Sequence, residues 1–160
     1  MIGVMSDSHD NCDAIQEAVG LFKQMKCELI IHAGDFIAPF AARELERAAC
    51  PVKAVFGNCD GEKEGLEKTI RSFGEIKKAP FVFSHRGRSF LITHFHFALD
   101  KYASAGEYDV IVFGHTHKPE MKKNRGVLLI NPGETGGWLS GKRSVALFDP
   151  ETGEAEIVYF

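Results

Sequence analysis

Nowhere does this sequence stay apolar for anything near the roughly 20 residues that a membrane-crossing helix requires, so no span is expected. Cysteine is sparse too: Cys12, Cys27, Cys50 and Cys59 are scattered, with no Cys-x-x-Cys pair, which argues against a zinc knuckle. The N-terminus has neither a basic opening nor a long apolar segment. An export signal is therefore not expected, and the thiols are read as reduced residues of a cytoplasmic protein. Basic residues are the minority charge. With 19 Lys and Arg against 22 Asp and Glu, the net charge of −3 disfavours non-specific binding of nucleic acid through its phosphates. Repeats, low-complexity tracts and linkers are also missing, so residues 1–160 are read as one domain, long enough to bury a core.

What the chain does have is a series of short apolar runs that each end in polar residues. Ile2, Val4 and Met5 lead into Asp7-Ser8-His9, the pattern of a buried strand that displays a loop at its carboxyl end. Asp10 or Asn11 then caps an expected helix whose apolar face is Ala14, Ile15, Ala18, Val19, Phe22 and Met25. A strand at Glu28 to His32 ends in Ala33-Gly34-Asp35. A helix over Ala41 to Ala49, begun near Pro39 and stopped by Pro51, leads to a strand at Val52 to Phe56 that ends Gly57-Asn58-Cys59-Asp60. Three strand–loop–helix units in a row predict parallel pairing. The charged stretch from Gly61 to Lys78 is weakly patterned and is read as a surface excursion beside the site.

From Phe81 the texture becomes β-rich. Phe81 to Phe83 and Ser89 to Ile92 flank the turn-like His85-Arg86-Gly87-Arg88, predicting a hairpin whose second strand ends Thr93-His94-Phe95-His96. A short helix over Ala98 to Ala105 is followed by a strand at Asp109 to Phe113, ending Gly114-His115-Thr116-His117. Further strands are expected at Val127 to Ile130, ending Asn131-Pro132-Gly133-Glu134, at Ser144 to Phe148 and at Ala155 to Phe160. This half is expected to form a second sheet packed on the first.

Five strand ends thus carry candidate ligands: Asp7 with His9, Asp35, Asn58, His94, and His115 with His117. Each alone has a structural explanation, since Asp and Asn are common turn formers after a strand. Together they pool hard carboxylate oxygens with imidazoles, a mixture that suits Mn, Fe, Ni or Zn better than calcium. Seven ligands exceed the need of one such ion, and the two oxygens of Asp35 can serve a pair. A pair about 3.5–4 Å apart is the arrangement used on phosphate esters.

Asp7-Ser8-His9, Gly34-Asp35, Gly57-Asn58, His94 and Gly114-His115-Thr116-His117 resemble, in order, the motifs of the calcineurin-like metallophosphoesterase superfamily. Length and Gly-Asn-Cys-Asp resemble its branch of small prokaryotic phosphodiesterases. The resemblance implies an α/β fold of two packed mixed β-sheets flanked by helices. It implies that Asp7, His9, Asp35 and His117 hold one divalent ion and that Asp35, Asn58, His94 and His115 hold the other. The implied activity is a phosphodiesterase that hydrolyses small phosphodiesters by in-line attack of a bridging hydroxide, with Asn58, His94 and Asp35 as its catalytic residues. His32 and His96 match no ligand position and are read as supporting or structural residues, and His85 as a surface residue.

Three positions depart from that pattern. Cys59 and Asp60 stand where many members have a His that protonates the leaving group, so a preference for diesters with good leaving groups is expected. Phe95 stands where the branch commonly has Gly; it is expected to point into the core, the alternative being that it narrows the substrate cleft or stacks on a base. Glu134 replaces a small hydroxyl residue after Asn-Pro-Gly. A nuclease on polymeric nucleic acid and a non-catalytic protein-binding module are the alternatives. The first lacks a basic stripe, and the second has no use for a full ligand set. A small phosphoester is the expected partner, with no stable nucleic-acid complex and no membrane; self-association is left open.

Overall fold

Period-two alternation explains the layering. In β1 (Ile2–Met5), Ile2 and Val4 face one way and Met5 the other, and all are buried. The same two-sided burial recurs in β2 (Leu29–His32), β3 (Val52–Val55), β6 (Arg88–Ile92), β7 (Val110–Val112) and β9 (Val127–Asn131), as strands covered on both faces require. The computed structural model describes residues 1–160. Its apolar residues fall into three clusters. One of 14 residues, including Ile2, Val4, Ile31, Phe90, Ile92 and Val112, lies between two sheets. One of 18, including Met5, Ile15, Phe22 and Leu45, lies under the helices of the first sheet. A smaller one of Leu91, Leu99, Ala103, Ile111, Phe113, Val127 and Leu129 lies outside the second. The result is the expected sandwich of two mixed sheets flanked by helices.

The first sheet has six strands in the order β11-β10-β1-β2-β3-β4, with β1 to β4 parallel. Here β4 is Gly74–Lys77, β10 Ser144–Phe148 and β11 Ala155–Tyr159. The second has five in the order β5-β6-β7-β9-β8, with β5 Phe81–His85 and β8 Glu120–Asn124, and its central three strands parallel. Helix α1 (Cys12–Gln24) begins where the Asn11 side chain accepts the Ala14 N–H at 3.2 Å. Helix α4 (Leu99–Ala105) ends at left-handed Gly106. No helix is long and apolar enough to cross a membrane.

The structure corrects four expectations. Residues 61–78 are not a surface excursion: α3 (Lys63–Ile70) buries Leu66 and Ile70, one turn apart, and β4 extends the parallel sheet. Two apolar residues among many charges make a face too narrow for a periodicity signal, yet each buried side chain stabilises the fold by about 1.5–3 kcal/mol. The helix after Asp35 is one turn, α2 (Pro39–Ala42), that tightens into a 3-10 helix over Arg43–Ala48; left-handed Ala49 ends it ahead of Pro51. β8 went unseen because its Glu, Lys and Asn residues look outward. The last two strands return to the first sheet, where β10 pairs antiparallel with β1.

Candidate metal centre

β1, β2, β3, β6 and β7 deliver their carboxyl-terminal loops to one rim, the end of an open parallel sheet where ligands bind. The first two loops continue side by side beyond the strands: Asp7 N donates to Gly34 O and His9 N to Asp35 O, at 3.0 and 3.1 Å. This places Asp7 next to Asp35. Contacts at the rim also tie the sheets together. His94 Nδ1 lies 2.8 Å from Ala33 O, and His115 N donates to Asp7 Oδ2 at 3.1 Å.

Five of the seven predicted ligands, Asp7, His9, Asp35, His115 and His117, have left-handed backbones, out of only eleven such non-glycine residues in the chain. That conformation is costly for residues with a Cβ and gathers at functional sites. Two glycines allow the packing. A Cβ on Gly57 would overlap the Asp35 carboxylate, and one on Gly114 would overlap the Ser6 hydroxyl.

Donor atoms of Asp7, His9 and His117 all lie within 4.8 Å of one another, and so do those of Asp7, Asp35 and His94. His9 Nε2 is 3.9 Å from Asp7 Oδ1 and 3.7 Å from Asp35 Oδ2, while His117 Nε2 is 3.4 Å from Asp7 Oδ1. Across the cluster, His94 Nε2 is 3.4 Å from Asp35 Oδ2 and 3.0 Å from Asn58 Oδ1. His115 stands at the margin, its ring centroid 5.1 Å from that of His94. All seven residues therefore share one neighbourhood. A third set joins Cys59 to His9 and Asp35, so the thiol sits at the edge of the cluster.

Charge and burial conflict here. Burial pushes the Asp7 carboxyl above its ordinary range, and nearby imidazoles only partly offset it. Asp35, despite its own burial, is held well below that range by the hydrogen bond and charge of His94 and by the Cys59 N–H. Burial works to lower His94, yet Asp35 holds it above an ordinary histidine. His115 is lowered by burial and then by the charge of His94. Burial and Asp35 push the Cys59 thiol up to about 11.

A divalent cation fits this donor set on a direct test. Asp7 Oδ1 and His9 Nε2 are buried and have no hydrogen-bond partner in the protein, the kind of exception that needs a physical cause. At His94, the Ala33 carbonyl requires a proton on Nδ1, which turns the Nε2 lone pair toward the oxygens of Asp35 and Asn58. A proton can hold those lone pairs together, and so can a metal ion.

Supporting residues carry much of the geometry, and several escaped sequence reasoning. Asp60 is buried, and its two oxygens accept the backbone N–H groups of Asp35, Gly57 and Ile37, so it fixes the loops of Asp35 and Asn58. Asn131 donates to Gly114 O and Thr116 Oγ1, which shapes the loop of His115 and His117. Glu134 is fully buried. It accepts N–H groups from Leu139 and Ser140 and lies 3.1 Å from His117 Nδ1. Its place one strand-end after the other ligands was the only signal in the sequence. His32 lies beneath the cluster with Nε2 3.0 Å from Ser8 Oγ and Nδ1 accepting the Gly34 N–H. His85 is half-buried against Glu28, away from the rim. Phe95 corrects an expectation: it is 38 % exposed and not in the core, because the short loop between β6 and α4 turns it outward.

Two packed mixed sheets with a carboxylate–imidazole cluster at their shared rim define the class: a metal-dependent phosphoester hydrolase. The comparisons agree. Residues 1–153 match the calcineurin-like phosphoesterase superfamily domain, and the chain belongs to that superfamily. It is 35% identical over 157 residues to phosphodiesterase MJ0936 of Methanocaldococcus jannaschii, covering 96% of this chain and 95% of that protein. Phosphodiesterase YfcE of Escherichia coli is 30% identical over 142 residues, 80% of this chain and 75% of its own. A solved structure described as a novel archaeal phosphodiesterase superposes with a TM-score of 0.95 at 33% identity, covering 99% of both chains.

Proposed function

We propose that this chain is a dinuclear phosphodiesterase of small phosphodiesters. The Asp35 carboxylate carries the reading. Its Oδ2 lies 3.7 Å from His9 Nε2 and 3.4 Å from His94 Nε2, so one group borders both halves of the cluster. Asp7, His9, Asp35 and His117 would hold one ion, and Asp35, Asn58, His94 and His115 the other. The mixed oxygen and nitrogen donors suit Mn, Fe, Ni or Zn. When bound, such ions acidify a water to serve as nucleophile at neutral pH and polarise the phosphoryl oxygens.

The chain's own residues do the rest. Asn58 is exposed at the mouth, where its amide can orient a phosphoryl oxygen, and Lys118 on the same wall attracts the anion. The cleft holds about 540 Å³, the scale of a small molecule. The −3 net charge and the lack of a basic stripe weigh against a polymeric nucleic acid as partner. Four free thiols suit a reducing, cytoplasmic compartment.

Proton supply limits the substrate. Asp60 is engaged by three backbone N–H groups and Cys59 holds its proton tightly, so neither is a good donor to a leaving group. The protein, loaded with each metal in turn, should hydrolyse bis(p-nitrophenyl) phosphate far faster than an alkyl monoester, with two metal equivalents by elemental analysis. Equal rates on the two substrates, or a single equivalent at full activity, would overturn the reading.

A further inference from the structure

Two large aromatic side chains stand in water beside the metal centre. Phe95 is 38 % and Phe97 75 % exposed. Their ring centroids are 5.5 Å apart and the planes 14° from parallel, so they form one offset-stacked ledge, with Phe97 its more exposed member. The ledge is anchored to the centre. Phe95 stands edge-on to His94 at 5.1 Å and to His115 at 4.8 Å, and His96 extends the surface, 4.4 Å from Phe97 and nearly parallel to His115. Neither Phe belongs to any of the three apolar clusters, so the core does not explain them. Neither Phe lines the cleft, but His115 does, so that ring stands between the cleft and the ledge.

We propose that the Phe95–Phe97 ledge is a subsite for a flat aromatic ring carried by the phosphodiester, stacked on Phe97. The inference rests on the phosphodiesterase reading above and names its substrate class: diesters in which one substituent is a nucleobase-bearing or aryl group. A stacked ring covers apolar surface and meets π-faces already held by two imidazoles. It demands no hydrogen-bond pattern, so the ledge selects for a ring and not for one particular base.

The test is binding of two pairs of anions, measured by isothermal titration and by saturation-transfer NMR, the non-hydrolysable phosphonates with and without metal and the hydrolysable monoesters on metal-free protein only. Phenylphosphonate is set against methylphosphonate, and adenosine monophosphate against ribose 5-phosphate. The wild-type protein should favour the ring-bearing member of at least one pair by about tenfold. Phe97→Ala should erase that preference, Phe97→Trp should restore it, and Val82→Ala, an exposed apolar change on β5, should leave it intact. A preference in the first pair alone identifies an aryl group, and one in the second alone a nucleobase. No ring preference in the wild type, or one that survives Phe97→Ala, overturns the proposal. So does a wild-type dimer that Phe97→Ala dissociates without any ring preference, since the ledge would then be an interface between copies. Turnover is not read here, so a failed diester screen with ring preference intact would sink the phosphodiesterase reading and spare the subsite.

Discussion

The two halves of the proposed metal centre are supported differently. Around Asp7, His9 and His117 the backing is anionic: buried Glu134 sits 3.1 Å from His117, and the Trp138 indole donates to His9 O at 3.0 Å. Around Asp35, Asn58, His94 and His115 the buried carboxylate of Asp60 braces backbone N–H groups and not an imidazole. A backbone carbonyl, Ala33 O, orients His94, and beyond it lie the exposed rings of Phe95 and Phe97. A carboxylate behind an imidazole makes it a stronger ligand than a carbonyl does. If each half takes an ion, the half backed by Glu134 would hold its ion more tightly.

The largest break of that contrast is Asp35→Asn, which removes the charge shared by both halves. Both metal equivalents should be lost and turnover should fall to background, as read by elemental analysis and diester hydrolysis; full activity in that variant would remove the assignment. Glu134→Gln should damage one half only. Metal affinity should weaken about 10- to 100-fold for a single equivalent, the other titrating as before. Equal weakening of both, by calorimetry, would mean that Glu134 acts only by holding the loop of Leu139 and Ser140. A graded chelator titration sharpens the comparison further. The half without Glu134 behind it should empty first, leaving one equivalent, and simultaneous loss of both would contradict the asymmetry.

The smallest effect concerns His32, which joins the halves from beneath through Ser8 and Gly34. Burial lowers its pKa from 6.5 to about 3. As pH falls below 6.5 the unfolded chain gains a proton on this residue that the folded chain refuses, so stability declines between those two values. The urea midpoint of metal-free protein should therefore drop through that window, and His32→Gln should flatten this part of the profile. An unchanged slope in the variant would assign the drop to other groups.

Sequence alone picked out the residues that gather at the rim because each closes an apolar run, and parallel strands send successive loops to a common edge. Asp7, Asp35, Asn58 and His115 could be read in this way without knowing how the strands pair. Support was harder to read. Asp60 acts by accepting backbone N–H groups of Asp35 and Ile37 from another loop, and Glu134 by accepting those of Leu139 and Ser140 within its own irregular loop, and neither leaves a periodic pattern. Phe95 was misplaced because its two imidazole neighbours come from different strands. β4 and β8 are charged strands at sheet edges, where outward charge guards an open edge and hides the alternation. The return of β10 to β1 is a long-range choice that no short window records.

That return has a consequence for the order of synthesis. The first strand to leave the ribosome carries Asp7 and His9, but its second neighbour is β10, and Asp7 O waits for the N–H of Gly136. A nascent chain therefore displays its first two ligands long before it can brace them. The rim is braced only once Gly136 and β10 have followed, so the order of synthesis runs opposite to the order in which Asp7 gains its support.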